Sequence, residues 1–373
     1  MLVDATDQTK TMPLPLLLQP ITLRDLRLRN RIVVSPMCQY SCERRDGLAT
    51  DWHLVHLGSR AVGGAGLIVA EASAVTPEGR ISPEDLGFWS DAHADALQRT
   101  IEFVHAQGAA MGIQLAHAGR KASSASTWLG GGAVADDDGG WTPLGPTDEP
   151  ASAHHRRPRA MVEADIQTVI GAFAHAASRA DRLGMDVIEI HAAHGYLLNS
   201  FLSPLSNRRT DAYGGPFEHR VRLLLEVVDA TRATWPDHKP LFVRISATDW
   251  VEGGWTISDS VQLARMLKPR GVDVIDCSSG GVVGGVSIPV GPGYQVPFAE
   301  QIRREAHIPT AAVGLITEAE QAEDILQHGQ ADLICMAREL LRDAYFPIHA
   351  AAQLGASDAV PWPRPYWRAV ERR

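Results

Sequence analysis

Apolar and polar positions along the chain fall into two alternating kinds of stretch. Short runs, nearly continuous in Val, Ile, Leu and Ala, occupy residues 31–34, 67–70, 111–115, 187–190, 241–245, 272–276, 310–313 and 333–336. Runs of this length without polar alternation suit parallel strands covered on both faces. Between them lie stretches with a helical period. Leu97, Ile101 and Val104 share one face and stop at Gly108. Ile166, Val169, Ile170, Phe173, Ala177 and Ala180 share another and stop at Gly184, and Leu224, Leu225 and Val228 mark a third. Glycine just past a periodic segment is a common helix stop. Thr317 to Glu320 reads as a capping box opening a helix that ends near Gly329, and Ser258 reads as an N-cap before Asp259. Eight strand–helix units predict an α/β fold, a (β/α)8 (TIM) barrel forming one domain over residues 1–373. The competing doubly wound sheet lacks support, because no G-x-G-x-x-G follows a strand and opens a helix; Gly63-Gly64-Ala65-Gly66 precedes a strand instead.

Three pieces stand outside the repeat. Residues 19–30 alternate like a small hairpin and are placed to plug the bottom of the barrel. Residues 122–159 form a long insertion after the third strand, rich in Gly, Ser, Asp and Pro, of the length expected for a lid. The tail, 360–373, carries Trp362, Tyr366, Trp367 and several arginines, and is expected to dock on its own body or on a neighbouring subunit.

Composition narrows the function. The chain is 45% hydrophobic and 21% charged, as in an ordinary soluble globular protein. Net charge is −9 and no Lys/Arg-rich run occurs, which argues against nucleic acid as a partner. No uninterrupted apolar stretch approaches the roughly 18 residues of a membrane-spanning helix, and the N-terminus lacks the basic and apolar regions of a signal peptide. Four cysteines are too few for a disulfide scaffold and fit a reducing cytoplasm.

In such a barrel the chemistry sits at the C-terminal ends of the strands. Those ends carry Ser35, Pro36, Met37, Cys38 and Tyr40 after strand one and Glu71-Ala72 after strand two. Gln114 and His117 follow at strand three, and His191, His194 and Tyr196 at strand four. Arg244, the segment Cys277 to Gly280, Gly314 and Arg338 complete the rim. Two imidazoles and a phenol past one strand can hold a polarised oxygen, bind a metal or transfer protons. A metal-dependent barrel hydrolase using His191 and His194 is the alternative, although zinc needs three or four ligands and strand one ends in Ser35-Pro36-Met37 rather than a histidine pair. Arg244 and Arg338 suit anions, since guanidinium forks match phosphate; an ion pair of Arg244 with Glu189 or Asp276 is the other reading.

The motifs NRIVVSPMCQYS (30–41), EASAVTPEGRIS (71–82), IQLAHAGRK (113–121), EIHAAHGYLLNSFLSPLSNRRTDAYGG (189–215), FVRIS (242–246), GPGYQVPFA (291–299), AVGLIT (312–317) and ARELLRD (337–343) resemble the Old Yellow Enzyme family of FMN-dependent ene-reductases, in its thermophilic-like, xenobiotic-reductase branch. The resemblance runs from about Leu18 to Arg368. It implies tightly bound FMN, with NADPH or NADH as reductant and a small activated alkene as substrate. It places Ser35, Pro36, Met37 and Cys38 beside the flavin, Ala72 and Gln114 in contact with it, and Gln114 on its pyrimidine edge. Arg244 matches the cation near N1 and the C2 carbonyl, and Gly314, Ala337 and Arg338 match the phosphate cradle. His191 and His194 match the pair that holds the substrate oxygen, Tyr196 the proton donor and Tyr40 a second substrate-side phenol. Arg368, in Tyr366-Trp367-Arg368, matches an arginine that reaches a neighbouring subunit's site, implying a homodimer or homotetramer. Two departures stand out. Ala337 replaces a frequent glycine, and the 122–159 insertion is longer than in compact members.

Overall fold

A computed structural model describes residues 13–370. Two short strands, β1 (Ile21–Leu23) and β2 (Leu26–Leu28), pair antiparallel as the expected hairpin. The remaining strands are β3 (Ile32–Val34), β4 (Leu67–Ala74), β5 (Ala110–Ala116), β6 (Leu144–Gly145), β7 (Arg159–Ala160), β8 (Val187–Ala192), β9 (Leu241–Ser246), β10 (Val274–Ser278), β11 (Thr310–Ala312) and β12 (Leu333–Met336). The helices are α1 (Asp51–Val62), α2 (Asp91–Ala106), α3 (Glu163–Arg182), α4 (Leu197–Leu202), α5 (Phe217–Arg220), α6 (Arg222–Thr234), α7 (Ile257–Leu267), α8 (Val296–Ala306), α9 (Ala319–Gln327), α10 (Arg338–Arg342) and α11 (Phe346–Gln353). β3, β4, β5, β8, β9, β10, β11 and β12 close into an eight-stranded parallel barrel, sealed where Cys335 of β12 faces Val33 of β3.

The alternation of the strands divides the core. Ile32, Val34, Ile68, Ala70, Ile188 and Ile190 face outward and pack with Leu97, Ile101, Phe173 and Leu224 of the helices. Val33, Leu67, Val69, Val187, Phe242, Val274 and Leu333 face inward, and Leu23 and Leu28 of the hairpin pack against them. The hairpin therefore does plug the bottom. Its two leucines also cover the apolar lower layer that water would otherwise reach.

Local expectations needed correction in two places. α7 is capped by Thr256, whose hydroxyl accepts from Asp259 N–H, not by Ser258. α9 begins after Glu318 without a side-chain cap; the amide of Thr317 instead donates to Gln321 Oε1 at 3.1 Å. In both cases the residue in extended conformation, set by packing of the preceding loop, became the cap position.

The 122–159 insertion contains a bridge between Ser124 and Ala133 and a two-stranded pairing of β6 with β7. Arg80 stacks over Trp141 at 5.2 Å and Trp141 Nε1 donates to Glu78 O at 2.9 Å, fastening it to the loop after β4. The tail turns back on its own body: Trp362 stacks on Tyr345 with centroids 5.9 Å apart, and Val360 joins Leu18 and Ile348 in a small core. Residues 1–12, on which the reading of the N-terminus partly rests, lie outside the described residues, as do 371–373. No described helix is long and apolar enough to cross a membrane.

Candidate active site

The inward face of each strand changes character two residues above the apolar layer. β8 presents Val187, then Glu189, then His191; β9 presents Phe242, then Arg244, then Ser246; β10 presents Val274, then Asp276, then Ser278. Register brings these rows level, with Arg244 opposite His191 on one side and Asp276 on the other. Arg244 Nη1 donates to Ser35 Oγ at 2.8 Å and lies 3.5 Å from Asp276. The ion pair left open by the sequence is therefore present, and it leaves the buried Nε of Arg244 unpartnered. Gln114 Nε2 donates to Glu189 Oε1 at 2.7 Å. Burial, reinforced by Asp276, pushes the Glu189 carboxyl up towards its neutral form. Burial opposes the charge on Arg244, but Asp276 and Glu189 more than offset it and keep the guanidinium charged.

His191, His194 and Tyr196 come together above this layer. The ring of His191 meets that of His194 at 5.2 Å and that of Tyr196 at 5.0 Å, both edge to face. Ala193 N–H donates to His191 Nδ1 at 3.2 Å, which leaves the ring proton on Nε2 as a donor. His194 Nε2 lies 2.6 Å from Ser278 Oγ. His194 has φ of 62°, and three contacts hold that backbone: its amide donates to Ser246 Oγ at 2.9 Å, its carbonyl accepts from Lys121 Nζ at 2.7 Å, and Gly281 packs against it. A Cβ on Gly281 would stand 2.6 Å from His194 Cα, so only glycine permits that approach. Burial first, then Arg244, drives both imidazoles well below their usual pKa and keeps them neutral. Burial drives Tyr196 well above the usual phenol range, with Cys38 and Tyr40 adding to it.

Cys38, Tyr40 and Tyr196 pack around a cluster of Ile81, Ala118 and Ala122, which joins the end of β3 to the loops after β4 and β5. The 122–159 insertion contributes Trp128, whose ring meets Tyr40 edge to face at 5.5 Å. Across the mouth, a cavity of about 160 Å³ is lined by Gly314, Ala337 and Arg338 together with Arg244, Ser278 and Cys335. Gly314 has φ of 131°, and a Cβ there would press on Gln295 and Tyr294 at 3.0 to 3.2 Å, so the cavity wall is open backbone at that point. Ala72 sits where the β4–β5 register shifts, next to Gln114. A phosphate-sized end with an arginine, and an inner end with an unpartnered guanidinium Nε, together fit a mononucleotide such as FMN. A roomier cleft of about 480 Å³ between Glu43, Arg44, Asp46 and Arg99 holds none of these converging groups.

The structure brings Ser35, Cys38, Tyr40, Ala72, Gln114, His191, His194, Tyr196, Arg244, Gly314, Ala337 and Arg338 to the upper end of the barrel, whereas Arg368 lies exposed on the tail. Lys121 and Ser246 were missed as site residues, while Glu189 and Asp276 were read only as alternative partners of Arg244. Lys121 stood in plain view at the end of IQLAHAGRK, next to Arg120 in a small-residue loop at a barrel mouth. Among the described residues no group of three or more His, Cys, Asp or Glu side chains is placed to share a metal ion.

Comparison with known proteins places this geometry. Residues 16–356 match the model of the NADH:flavin oxidoreductase / NADH oxidase family. An NADPH dehydrogenase of Geobacillus sp. strain WCH70 is 52% identical over 342 residues, covering 92% of this chain and 95% of that protein. An old yellow enzyme homologue from Zymomonas mobilis superposes with a TM-score of 0.76 at 26% identity, covering 94% of each chain. A 2-naphthoyl-CoA reductase superposes with a TM-score of 0.82 at 26% identity; 92% of this chain is covered, but it spans only 53% of that longer protein.

Proposed function

The chain belongs to the NADH:flavin oxidoreductase / NADH oxidase family, which includes the Old Yellow Enzymes, and we propose that within it the chain is an NADPH-dependent ene-reductase. It is an oxidoreductase with FMN as cofactor and a reduced nicotinamide dinucleotide as electron source. NADPH as the preferred form follows the Geobacillus relative.

The observation that carries the reading is the His191/His194 pair, its rings set edge-on to each other, with the Tyr196 phenol edge-on to His191. FMN, when bound, would supply the hydride chemistry that links NADPH to the β-carbon of an enone, nitroalkene or maleimide. Gln114, Arg244, Ala72 and the segment from Ser35 to Cys38 would hold the flavin ring, and Gly314, Ala337 and Arg338 would hold the phosphate. The charged guanidinium of Arg244, held by Ser35 and Asp276, would favour negative charge on a flavin ring bound beside it. His191 Nε2–H and the His194 ring hold the substrate's carbonyl or nitro oxygen and draw charge onto it. Tyr40 lines the substrate side. Tyr196 protonates the α-carbon: a buried phenol stays neutral until a strongly basic carbon develops beside it. The hydrolase alternative from His191 and His194 has too few ligands and no support in the family.

The tail anchored by Trp362 leaves Arg368 exposed, which supports a homodimer or homotetramer with Arg368 at a neighbour's site. The 122–159 segment acts as the lid. Four free cysteines accord with a cytoplasmic location.

The purified protein is expected to be yellow, to bleach anaerobically with NADPH, and to recover colour with 2-cyclohexenone. Colourless protein overturns the proposal. Tyr196→Phe is expected to slow recovery by about 100-fold while leaving bleaching unchanged; equal loss in both steps removes Tyr196 as the acid.

A further inference from the structure

One buried acid near the site has no role in the scheme above. Asp85, in the loop after β4, is 1% exposed. Its Oδ2 accepts from Ile81 N–H at 2.6 Å, and Ser82 Oγ lies 3.4 Å from Oδ1. Its cationic neighbour Arg80 spends its hydrogen bonds on the carbonyls of Pro77, Arg45 and Pro83, so the carboxyl is not neutralised by direct pairing. Asp85 and Tyr196 line the same small cavity, with Ala72, Ala74, Gly79, Ile81, Ala116 and Ala118 as the other walls. The space open to the centre of a water there is about 10 Å³, which is about what one water needs.

We propose that Asp85 is a proton relay that returns to Tyr196, through one water in their shared cavity, the proton Tyr196 gives to the substrate. The proposal rests on Tyr196 being the donor. When the Tyr196 O–H bond breaks and the substrate C–H bond forms, a buried phenolate remains. It takes a proton from the water, the water takes one from the Asp85 carboxyl, and the carboxylate is refilled from solvent past the partly exposed Glu84. No electrons move. The direction is downhill. Burial, then Glu71, pushes Asp85 up to about 8, so it is an acid at neutral pH, whereas burial pushes Tyr196 well above the usual phenol range. The charged and titratable groups facing Asp85 are Glu71 of β4, Cys38, Tyr40 and Cys42 of the loop after β3, Arg80 and Glu84 of its own loop, and Tyr196.

A group that only recharges the donor leaves the first turnover intact and slows those that follow. In Asp85→Asn the amide oxygen still accepts from Ile81 N–H, so the turn is kept. With pre-reduced holoenzyme and 2-cyclohexenone, Asp85→Asn is expected to match the wild-type single-turnover rate within about twofold. Steady-state turnover with excess NADPH is expected to fall about 10-fold, within the usual range of a lost proton-transfer group. The ultraviolet phenolate absorbance left after the single turnover is expected to decay correspondingly more slowly. Ala74→Val, which fills the cavity and keeps Asp85, is expected to do the same and serves if Asp85→Asn folds poorly. Equal slowing in both regimes, or wild-type steady-state turnover in both variants, overturns the relay. Failure of the donor reading looks different: Tyr196→Phe would then reduce the alkene at the wild-type rate and no phenolate transient would form in the wild type.

Discussion

The lower and upper halves of the barrel interior are made by the same strands and differ in almost everything else. Val187, Phe242 and Val274 below are packed with the hairpin leucines. Glu189, Arg244 and Asp276 stand one pleat above them, equally buried. The lower layer is held by apolar area, in which each residue contributes through its own packing. The upper layer is held by mutual neutralisation: one guanidinium serves two carboxyls, and none of the three is stable alone in that place. A stretch such as VIEIH therefore encodes both a fold and a site, by alternating which chemistry it points inward.

The largest expected effect comes from breaking each layer at one residue of β9. Arg244→Met removes the charge that Asp276 and Glu189 share, and is expected to cost about 3–5 kcal/mol of stability and to abolish flavin retention. Phe242→Ala is expected to cost a similar 3–5 kcal/mol through its cavity, yet to leave the folded fraction fully yellow and active per bound flavin. Urea unfolding and flavin content of the folded protein measure both. Equal flavin loss in the two variants would erase the distinction between the layers.

The layers also differ in response to acid. His117, just above β5, is buried; its Nδ1 accepts from Gly119 N–H at 3.0 Å and its Nε2 has no partner. Burial lowers it to about 4. Because the unfolded chain binds this proton first, the stability is present above the ordinary histidine range near pH 6.5 and is lost as pH falls towards 4. His117→Asn keeps the acceptor for Gly119 and removes the titration. The slope of unfolding free energy between pH 6.5 and 4 is expected to flatten by up to one proton, about 1.4 kcal/mol per pH unit. An unchanged slope would mean that His117 is protonated in the folded state as readily as in the unfolded one.

Much of this arrangement was legible in the chain. The eight apolar runs became the eight barrel strands, because continuous hydrophobicity over four or five residues has few other uses in a barrel of this length. The rim residues were found because strand ends are where side chains converge. The shared charge in the upper layer was only half legible: the chain offered Glu189 or Asp276 as a partner for Arg244, but not both at once. Glu189 and Asp276 are single acids inside apolar runs, and only the register between β8, β9 and β10 reveals that Arg244 sits between them. Ser258 and Thr317 were misjudged because several residues near each helix start could cap it, and loop packing chose among them. Asp85 was invisible for a related reason: its proximity to Tyr196 is created by two loops more than a hundred residues apart.

The smallest effect concerns a residue that touches neither the flavin layer nor the lower core. Lys121 Nζ donates to His194 O at 2.7 Å and Gly281 O at 2.5 Å, and lies 5.7 Å from the Tyr196 ring centre. Burial lowers its pKa to about 8, so it remains mostly charged at neutral pH. It ties the loop after β5 to the loops after β8 and β10, and it faces the same imidazole whose backbone lies in the left-handed region. Lys121→Met keeps much of the buried stem and removes the two hydrogen bonds. Loosening His194 by even a fraction of an ångström misaims one of two donors at the substrate oxygen, so phenol binding and enone KM are expected to worsen about 10-fold. Bleaching by NADPH and flavin content should not change, since the upper layer is untouched. If bleaching slows as much as alkene reduction, Lys121 acts on the flavin layer after all, and the boundary between the oxygen clamp and the layer beneath it lies lower than His191.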